Sequence, residues 1–135
     1  MTLPILSEGS RRSLLVALAI AIMVLLFYLG GKPFAAGLIP SPWDKLAHFV
    51  VYGAMAALLR LGIPERPSWL LVLAVGIVGS LDEWHQMSVP GRSADLADLL
   101  TDVVAAVYAI GTCEYWTACR SARRGVAATP PGMQG

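Results

Sequence analysis

Between Ser80 and Leu100 the sequence SLDEWHQMSVPGRSADLADLL gathers side chains that do acid–base and metal chemistry. Its ionisable residues are Asp82, Glu83, His85, Arg92, Asp95 and Asp98. Asp82 and His85 are three residues apart, so on a helix they share a face, with Gln86 one position further. A carboxylate and an imidazole at this spacing can ligate a metal ion or form an acid–base pair. The alternative is an internal hydrogen-bond network that braces the protein.

A second polar stretch, SPWDKLAHFVVY, places Asp44, His48 and Tyr52 at four-residue spacing, which aligns them on one helical face. Ser41 is predicted to cap this helix, with Pro42 as its first residue and Asp44 in its first turn, and this helix-start role is the structural alternative for Asp44. For His48 the two alternatives are a site residue and a helix–helix hydrogen bond.

Further along the chain, Asp95 is predicted to cap a helix with Asp98 in its first turn. Asp98 and Asp102 are four residues apart and share a stripe. Asp102 lies beyond the first turn, so capping does not explain it. Arg92 can neutralise an acid or bind a phosphate or carboxylate ligand, and Lys45 is predicted to extend toward the membrane interface.

The composition indicates what kind of protein carries these residues. The chain has 135 residues, 56% hydrophobic and 14% charged, and a mean hydropathy of +0.65. Soluble domains carry about 25% charged residues, so we expect an integral membrane protein. No basic stripe is present, which argues against nucleic acid as a partner.

Four apolar segments approach the length of about 20 residues that a membrane-spanning helix needs. The predicted spans are Ser13–Leu29, Trp43–Ile63, Ser68–Trp84 and Leu96–Ala118. We therefore predict an all-α, four-helix transmembrane bundle over residues 13–118. Residues 1–12 form a cytoplasmic N-terminus and 119–135 a cytoplasmic tail, whose end, 128–135, is expected to be disordered.

The basic residues predict the orientation of this bundle. With the N-terminus inside, the cytoplasmic set is Arg11, Arg12, Arg60, Arg66, Arg120, Arg123 and Arg124, and the outer set is Lys32, Lys45 and Arg92. The bias predicts that both termini are cytoplasmic and that the acids and histidines lie at the outer side.

Helix rise places the ionisable groups at a common depth. At 1.5 Å per residue, His48 lies about 24 Å, Asp82 about 22 Å and Asp102 about 21 Å from the inner ends of their helices. A charge inside the bilayer normally faces the bundle interior or a wet cavity. We therefore expect the groups to meet in one polar pocket that opens outward.

The combined motifs DKLAHFVVYG and DEWHQMSVPGRSADLADLL resemble the VanZ-like family of bacterial membrane proteins, and the resemblance covers residues 41–111. It implies a multi-pass protein of the bacterial plasma membrane. It also implies a link to glycopeptide resistance, because the family's namesake is associated with low-level teicoplanin resistance. The family tends to carry Asn and Gly where this chain has Asp102 and Ala105.

The leading hypothesis is a protein that binds or modifies a lipid-linked or glycopeptide-like component of the cell envelope. The alternatives are a non-catalytic accessory protein with a structural polar network and a small proton-coupled transporter. Membrane lipids and an envelope precursor or glycopeptide are the expected partners. A homo-oligomer suits a chain of this size, although no interface motif specifies one.

Each candidate residue has a predicted role in this hypothesis, and a divalent metal ion is the candidate cofactor. The candidate catalytic residues are His48, Asp82, His85 and Asp98. The candidate ligand-binding residues are Asp44, Lys45, Tyr52, Glu83, Gln86, Arg92 and Asp95. The candidate metal ligands are Asp82, His85, Asp98 and Asp102, with a proton relay as the alternative role of this set.

Overall fold

The computed structural model describes residues 7–32 and 38–127, and within these ranges the chain forms four helices and no strand. The helices are α1 (Glu8–Gly30), α2 (Trp43–Gly62), α3 (Ser68–Gln86) and α4 (Leu96–Ala127). The prediction of an all-α fold with four helices is confirmed. The predicted disordered end, 128–135, and residues 1–6 of the predicted N-terminal segment lie outside the described residues.

Helix α3 extends two residues past its predicted end, and α1 and α4 exceed the predicted spans by more. Helix α1 begins at Glu8 because Ser7 caps it, accepting a hydrogen bond from the Ser10 N–H at 3.1 Å. Helix α4 continues past Ala118 to Ala127, through a segment rich in alanine and arginine, which are good helix formers. The apolar pattern predicts the apolar part of each helix, and polar flanking residues extend α1 at its start and α4 at its end.

Three helices are long and apolar enough to cross a membrane: α1, α2 and the Leu96–Arg124 part of α4. Helix α3 is not among them, because its C-terminal end carries Asp82, Glu83, His85 and Gln86. These lengths and compositions are those of a membrane protein. The N-in/C-in orientation stays a prediction.

Helix α2 lies at the centre of the bundle, with α1 on one side and α4 on the other, and α3 packs mainly against α4. Small side chains allow close packing: Ala56, Ala105 and Ala106 are fully buried beside Val75. Large apolar side chains such as Leu14, Leu73 and Val104 point outward instead. This outward apolar surface is what a bundle presents to lipid.

Ion pairs lie at the end of the bundle where α2 ends and α3 begins. Arg60 Nε lies 3.2 Å from Glu114 Oε1, and the Ser68 hydroxyl donates a hydrogen bond to the same carboxylate. Arg12 pairs with Glu65 nearby. The buried apolar residues separate this end from the polar residues of the opposite end.

Gly62 provides a test of the packing between α1 and α2. A Cβ atom there would lie 2.7 Å from Val16 Cγ2, 3.2 Å from the Arg12 carbonyl oxygen and 3.3 Å from the Val16 nitrogen. We expect Gly62→Ala to destabilise the protein by about 1–3 kcal/mol, because backbone cannot move aside as a side chain can. Thermal unfolding in detergent measures the effect. The matched control is Gly111→Ala, where a Cβ meets nothing within 4 Å, and an equal loss in both variants would contradict this packing.

Candidate functional site

All of the predicted site residues except His85 meet at the end of the bundle where α2 and α4 begin and α3 ends. We call this set the polar cluster. Its members are Asp44, Lys45, His48 and Tyr52 of α2, Asp82, Glu83 and Gln86 of α3, Arg92 and Asp95 of the connecting segment, and Asp98 and Asp102 of α4. The hydrogen bonds and ion pairs described below join groups from three helices.

Asp82 is the buried centre of the α2–α3 contact, with 1% of its surface exposed. Its Oδ2 accepts hydrogen bonds from the Tyr52 hydroxyl at 3.3 Å and from Gln86 Nε2 at 2.9 Å. Its other oxygen, Oδ1, is buried and finds no hydrogen-bond donor among the described residues. Asp82 is therefore held by one oxygen and leaves the other free.

His48 and Asp102 join α2 to α4. His48 Nδ1 lies 2.9 Å from Asp102 Oδ1, and the His48 ring stacks on Tyr52 at 5.7 Å between centroids. Asp102 is fully buried, and a Cβ atom on Gly79 would lie 2.7 Å from its Oδ2. The absence of a side chain at position 79 is thus what makes room for this carboxylate, which fixes the orientation of the imidazole.

Lys45 is the cation that links α2 to the start of α4. Its Nζ lies 2.7 Å from Asp95 Oδ2 and 2.7 Å from Asp98 Oδ1. The hydrogen bond from Lys45 holds the pKa of the Asp95 carboxyl below its ordinary value. The other Asp95 oxygen accepts from the Ala97 N–H at 2.8 Å, so the predicted capping role of Asp95 is confirmed.

Asp44 lies at the start of α2 as predicted, but the cap of this helix differs from the prediction. Helix α2 has Pro42 at its N-cap position, without a side-chain capping bond, so the prediction that Ser41 caps it is wrong. Asp44 lies in the first turn, 3.8 Å from the Lys45 ammonium, and its Oδ1 is buried without a donor among the described residues. Asp44 therefore adds an uncompensated oxygen to the polar cluster.

Glu83 belongs to the polar cluster although it follows Asp82 directly in sequence. Its Oε2 accepts a hydrogen bond from the Asp95 backbone N–H at 2.6 Å, and its Oε1 is buried without a donor among the described residues. Only 6% of its surface is exposed. Glu83 thus binds the segment that leads into α4 through one oxygen.

His85 lies apart from these contacts. Its ring contacts α1, 5.6 Å from the Phe27 ring between centroids, and a Cβ atom on Gly31 would lie 2.7 Å from its Cε1. Arg92 also reaches α1, donating from Nη1 to the Gly30 carbonyl oxygen at 3.3 Å. His85 and Arg92 therefore lie on the side of the polar cluster that faces α1.

A cavity of about 680 Å³ opens beside the polar cluster, between α1 and α2. Its wall is apolar, and its polar end carries Asp44, His48, Asp82, Gln86, Arg92, Asp95 and Asp98. The wall residues from α1 are Ile22, Leu25, Leu26 and Leu29, and those from α2 include Ala47, Val50, Val51 and Ala54. Helix α1 is not assigned to the site by the sequence pattern, because this helix has no charged residue between Arg12 and its C-terminal end.

Three side chains have the spacing of metal ligands: His48, Asp82 and Glu83 each offer an atom within 4.8 Å of the others. Of the four metal ligands that the sequence predicts, Asp82 belongs to this group. His85, Asp98 and Asp102 do not.

Comparison with known proteins gives one match. The model of the family described as VanZ/LLP1 matches residues 2–117. No curated protein and no solved structure matches the chain.

The Lys45 bridge predicts a pH-dependent effect on stability. Lys45→Met should lower the melting temperature at neutral pH, because Asp95 and Asp98 lose the ammonium between them. Glu83 accepts from the Asp95 backbone N–H and contributes further negative charge from α3. Lys45 lowers the pKa of Asp95 in the folded protein. The stabilisation from this pair is therefore present above the Asp pKa of the unfolded chain, about 3.9, and is lost as the pH falls through the lower pKa of the folded protein.

The difference between wild type and Lys45→Met should therefore narrow as the pH falls from neutral to about 3. Thermal unfolding in detergent at several pH values measures it. Lys32→Met is the control, because Lys32 lies over the Tyr28 ring, 4.2 Å from its centroid. If Lys45→Met lowers the melting temperature by the same amount at every pH, the ionic origin of the stabilisation by Lys45 is contradicted.

Proposed function

The chain belongs to the VanZ/LLP1 family, and from this we propose that it binds or modifies a lipid-linked or glycopeptide-like component of the bacterial cell envelope. In this proposal the protein crosses the plasma membrane several times, and the polar cluster opens at the outer leaflet. The resemblance of the chain to VanZ-like proteins, with their link to glycopeptide resistance, supports this class of ligand.

The observation that carries the proposal is the shape of the cavity. Its wall of Leu25, Leu29 and Val50 is exposed and apolar, while His48, Asp82 and Arg92 lie at one end. A ligand that matches this arrangement has an apolar chain and a polar head, as a lipid-linked envelope component or an acylated glycopeptide does. The volume of about 680 Å³ lies within the range of about 300–1,000 Å³ that is common for ligand pockets.

The polar end suits a head group that carries hydroxyl, amino or phosphate groups. Carboxylates such as Asp44 and Asp95 accept hydrogen bonds from hydroxyl and ammonium groups. The Arg92 guanidinium can bind a phosphate or carboxylate with two parallel hydrogen bonds. In an enzymatic form of the proposal that uses no metal ion, His48 is oriented by Asp102 at 2.9 Å and acts as the general base on the bound head group.

The distribution of polar groups disfavours a proton-coupled transporter. A proton path needs titratable groups across the full depth of the membrane. The layer between the polar cluster and the Arg60–Glu114 pair is apolar among the described residues, and it includes Met55, Val75 and Ile110. The polar groups therefore form a site at one depth.

Filling the cavity tests the proposal. Ala54→Trp places an indole in the wall of the cavity from an exposed position, so the bundle can accept it while the pocket cannot. We expect binding of a polyprenyl phosphate or of teicoplanin to weaken at least about tenfold, since excluded apolar contact costs about 1.4 kcal/mol or more. Binding to detergent-purified protein is measured by microscale thermophoresis.

Ala21→Trp is the matched control, because Ala21 is exposed on α1 and does not line this cavity. The control should bind as wild type does. Equal binding of both probes by wild type and Ala54→Trp, or no binding by wild type, would overturn the proposal.

A further inference from the structure

The geometry points to a divalent-cation site formed by His48, Asp82 and Glu83, with Asp102 as the residue that positions the imidazole. This inference goes beyond the proposed function and is tested without any envelope ligand. It also differs from the metal site that sequence spacing predicts, which included His85, Asp98 and Asp102.

Each of the three side chains is anchored through one atom. Asp82 Oδ2 accepts from Tyr52 and Gln86, and Glu83 Oε2 accepts from the Asp95 backbone at 2.6 Å. His48 Nδ1 is engaged by Asp102 at 2.9 Å, which leaves Nε2 as its free nitrogen. Outer partners of this kind orient the ligands of protein metal sites.

The second oxygen of each carboxylate is available. Asp82 Oδ1 and Glu83 Oε1 are both buried and have no hydrogen-bond partner among the described residues, and their side chains are more than nine-tenths buried. A buried carboxylate oxygen left unpaired carries a large desolvation cost. A cation bound between them removes that cost.

The charge around the group favours a cation over an anion. The carboxylates of the polar cluster are those of Asp44, Asp82, Glu83, Asp95, Asp98 and Asp102, and its permanent cations are Lys45 and Arg92. Lys45 is already shared between Asp95 and Asp98. Asp44, Asp82, Glu83 and Asp102 therefore carry the remaining negative charge, and each has one buried oxygen without a donor among the described residues.

The donor atoms select the type of cation. Two ligands about 2.1 Å from a common ion lie at most about 4.2 Å apart. One potential ligand atom of each of the three side chains lies within 4.8 Å of the others, so side-chain rotations can bring a donor of each residue onto one ion. One imidazole nitrogen with two carboxylate oxygens suits Zn²⁺ or Mn²⁺, whereas Mg²⁺ favours oxygen ligands alone. The cavity beside His48 and Asp82 leaves room for a further ligand on the ion.

The test uses full-length, detergent-purified protein without a polyhistidine tag, stripped with a chelator and titrated with Zn²⁺ or Mn²⁺. Metal content by mass spectrometry and affinity by calorimetry are the readouts. We expect one ion per chain. Asp82→Asn, Glu83→Gln and His48→Gln remove ligands, and Asp102→Asn removes the positioning contact. Each should lower affinity by about 10- to 100-fold or more.

Two control variants locate the site. Glu114→Gln removes a carboxylate at the opposite end of the bundle, where it pairs with Arg60, and should keep wild-type affinity. His85→Gln should also keep wild-type affinity, because His85 contacts Phe27 of α1 and Gly31, the residue that follows this helix. Affinity lost in His85→Gln and kept in Glu83→Gln would overturn the assignment, as would a wild type that takes up neither ion.

A spectroscopic measurement decides the question if a ligand variant fails to fold. The chain has two histidines, so His48 is the remaining one in His85→Gln. Pulsed electron paramagnetic resonance of Mn²⁺ bound to this variant should show coupling to one imidazole nitrogen. Mn²⁺ bound without nitrogen coupling would overturn the site.

Discussion

The stability of this bundle depends on how the negative charges of its buried carboxylates are compensated. A carboxylate removed from water costs several kcal/mol unless a donor, a cation or a proton accompanies it. The end of this bundle buries Asp82, Glu83, Asp98 and Asp102 together. Backbone, Tyr52, Gln86, His48 and Lys45 satisfy one side of these groups. Asp44, Asp82, Glu83 and Asp102 each keep one buried oxygen without a donor among the described residues, and this is the observation on which the proposal of a binding site depends.

Each helix contributes different groups to this site. Helix α2 supplies the imidazole and the phenol, α3 supplies the central acids, and α4 supplies the carboxylates that bind Lys45 and His48. Helix α1 supplies apolar wall, without charge near the cavity. Gly79 permits Asp102 to lie between α3 and α4, because a Cβ atom there would lie 2.7 Å from the Asp102 Oδ2. The polar cluster therefore lies next to the apolar wall of the cavity.

Sequence reasoning located the helices and the depth of the site but not the rotation of each helix. Apolar segments and the helix rise placed His48, Asp82 and Asp102 at one level, and the structure brings them together. The spacing of Asp82 and His85 indicated a shared face, yet spacing does not say which neighbour that face contacts. His85 contacts α1, while Glu83 reaches the start of α4 through its longer side chain. The α1 wall could not be predicted, because apolar residues that line a cavity and those that face lipid have the same composition.

The most direct test of whether the polar cluster is a binding site or a brace is the melting temperature of Asp82→Asn in the presence of a chelator. An amide keeps an oxygen that can accept from Tyr52 and Gln86 while it removes one buried negative charge. Removing an uncompensated charge from a binding site should leave stability unchanged or raise it. We predict a melting temperature equal to or above that of the chelated wild type. A fall of several degrees would show that the Asp82 charge stabilises the fold, and this result would contradict the account.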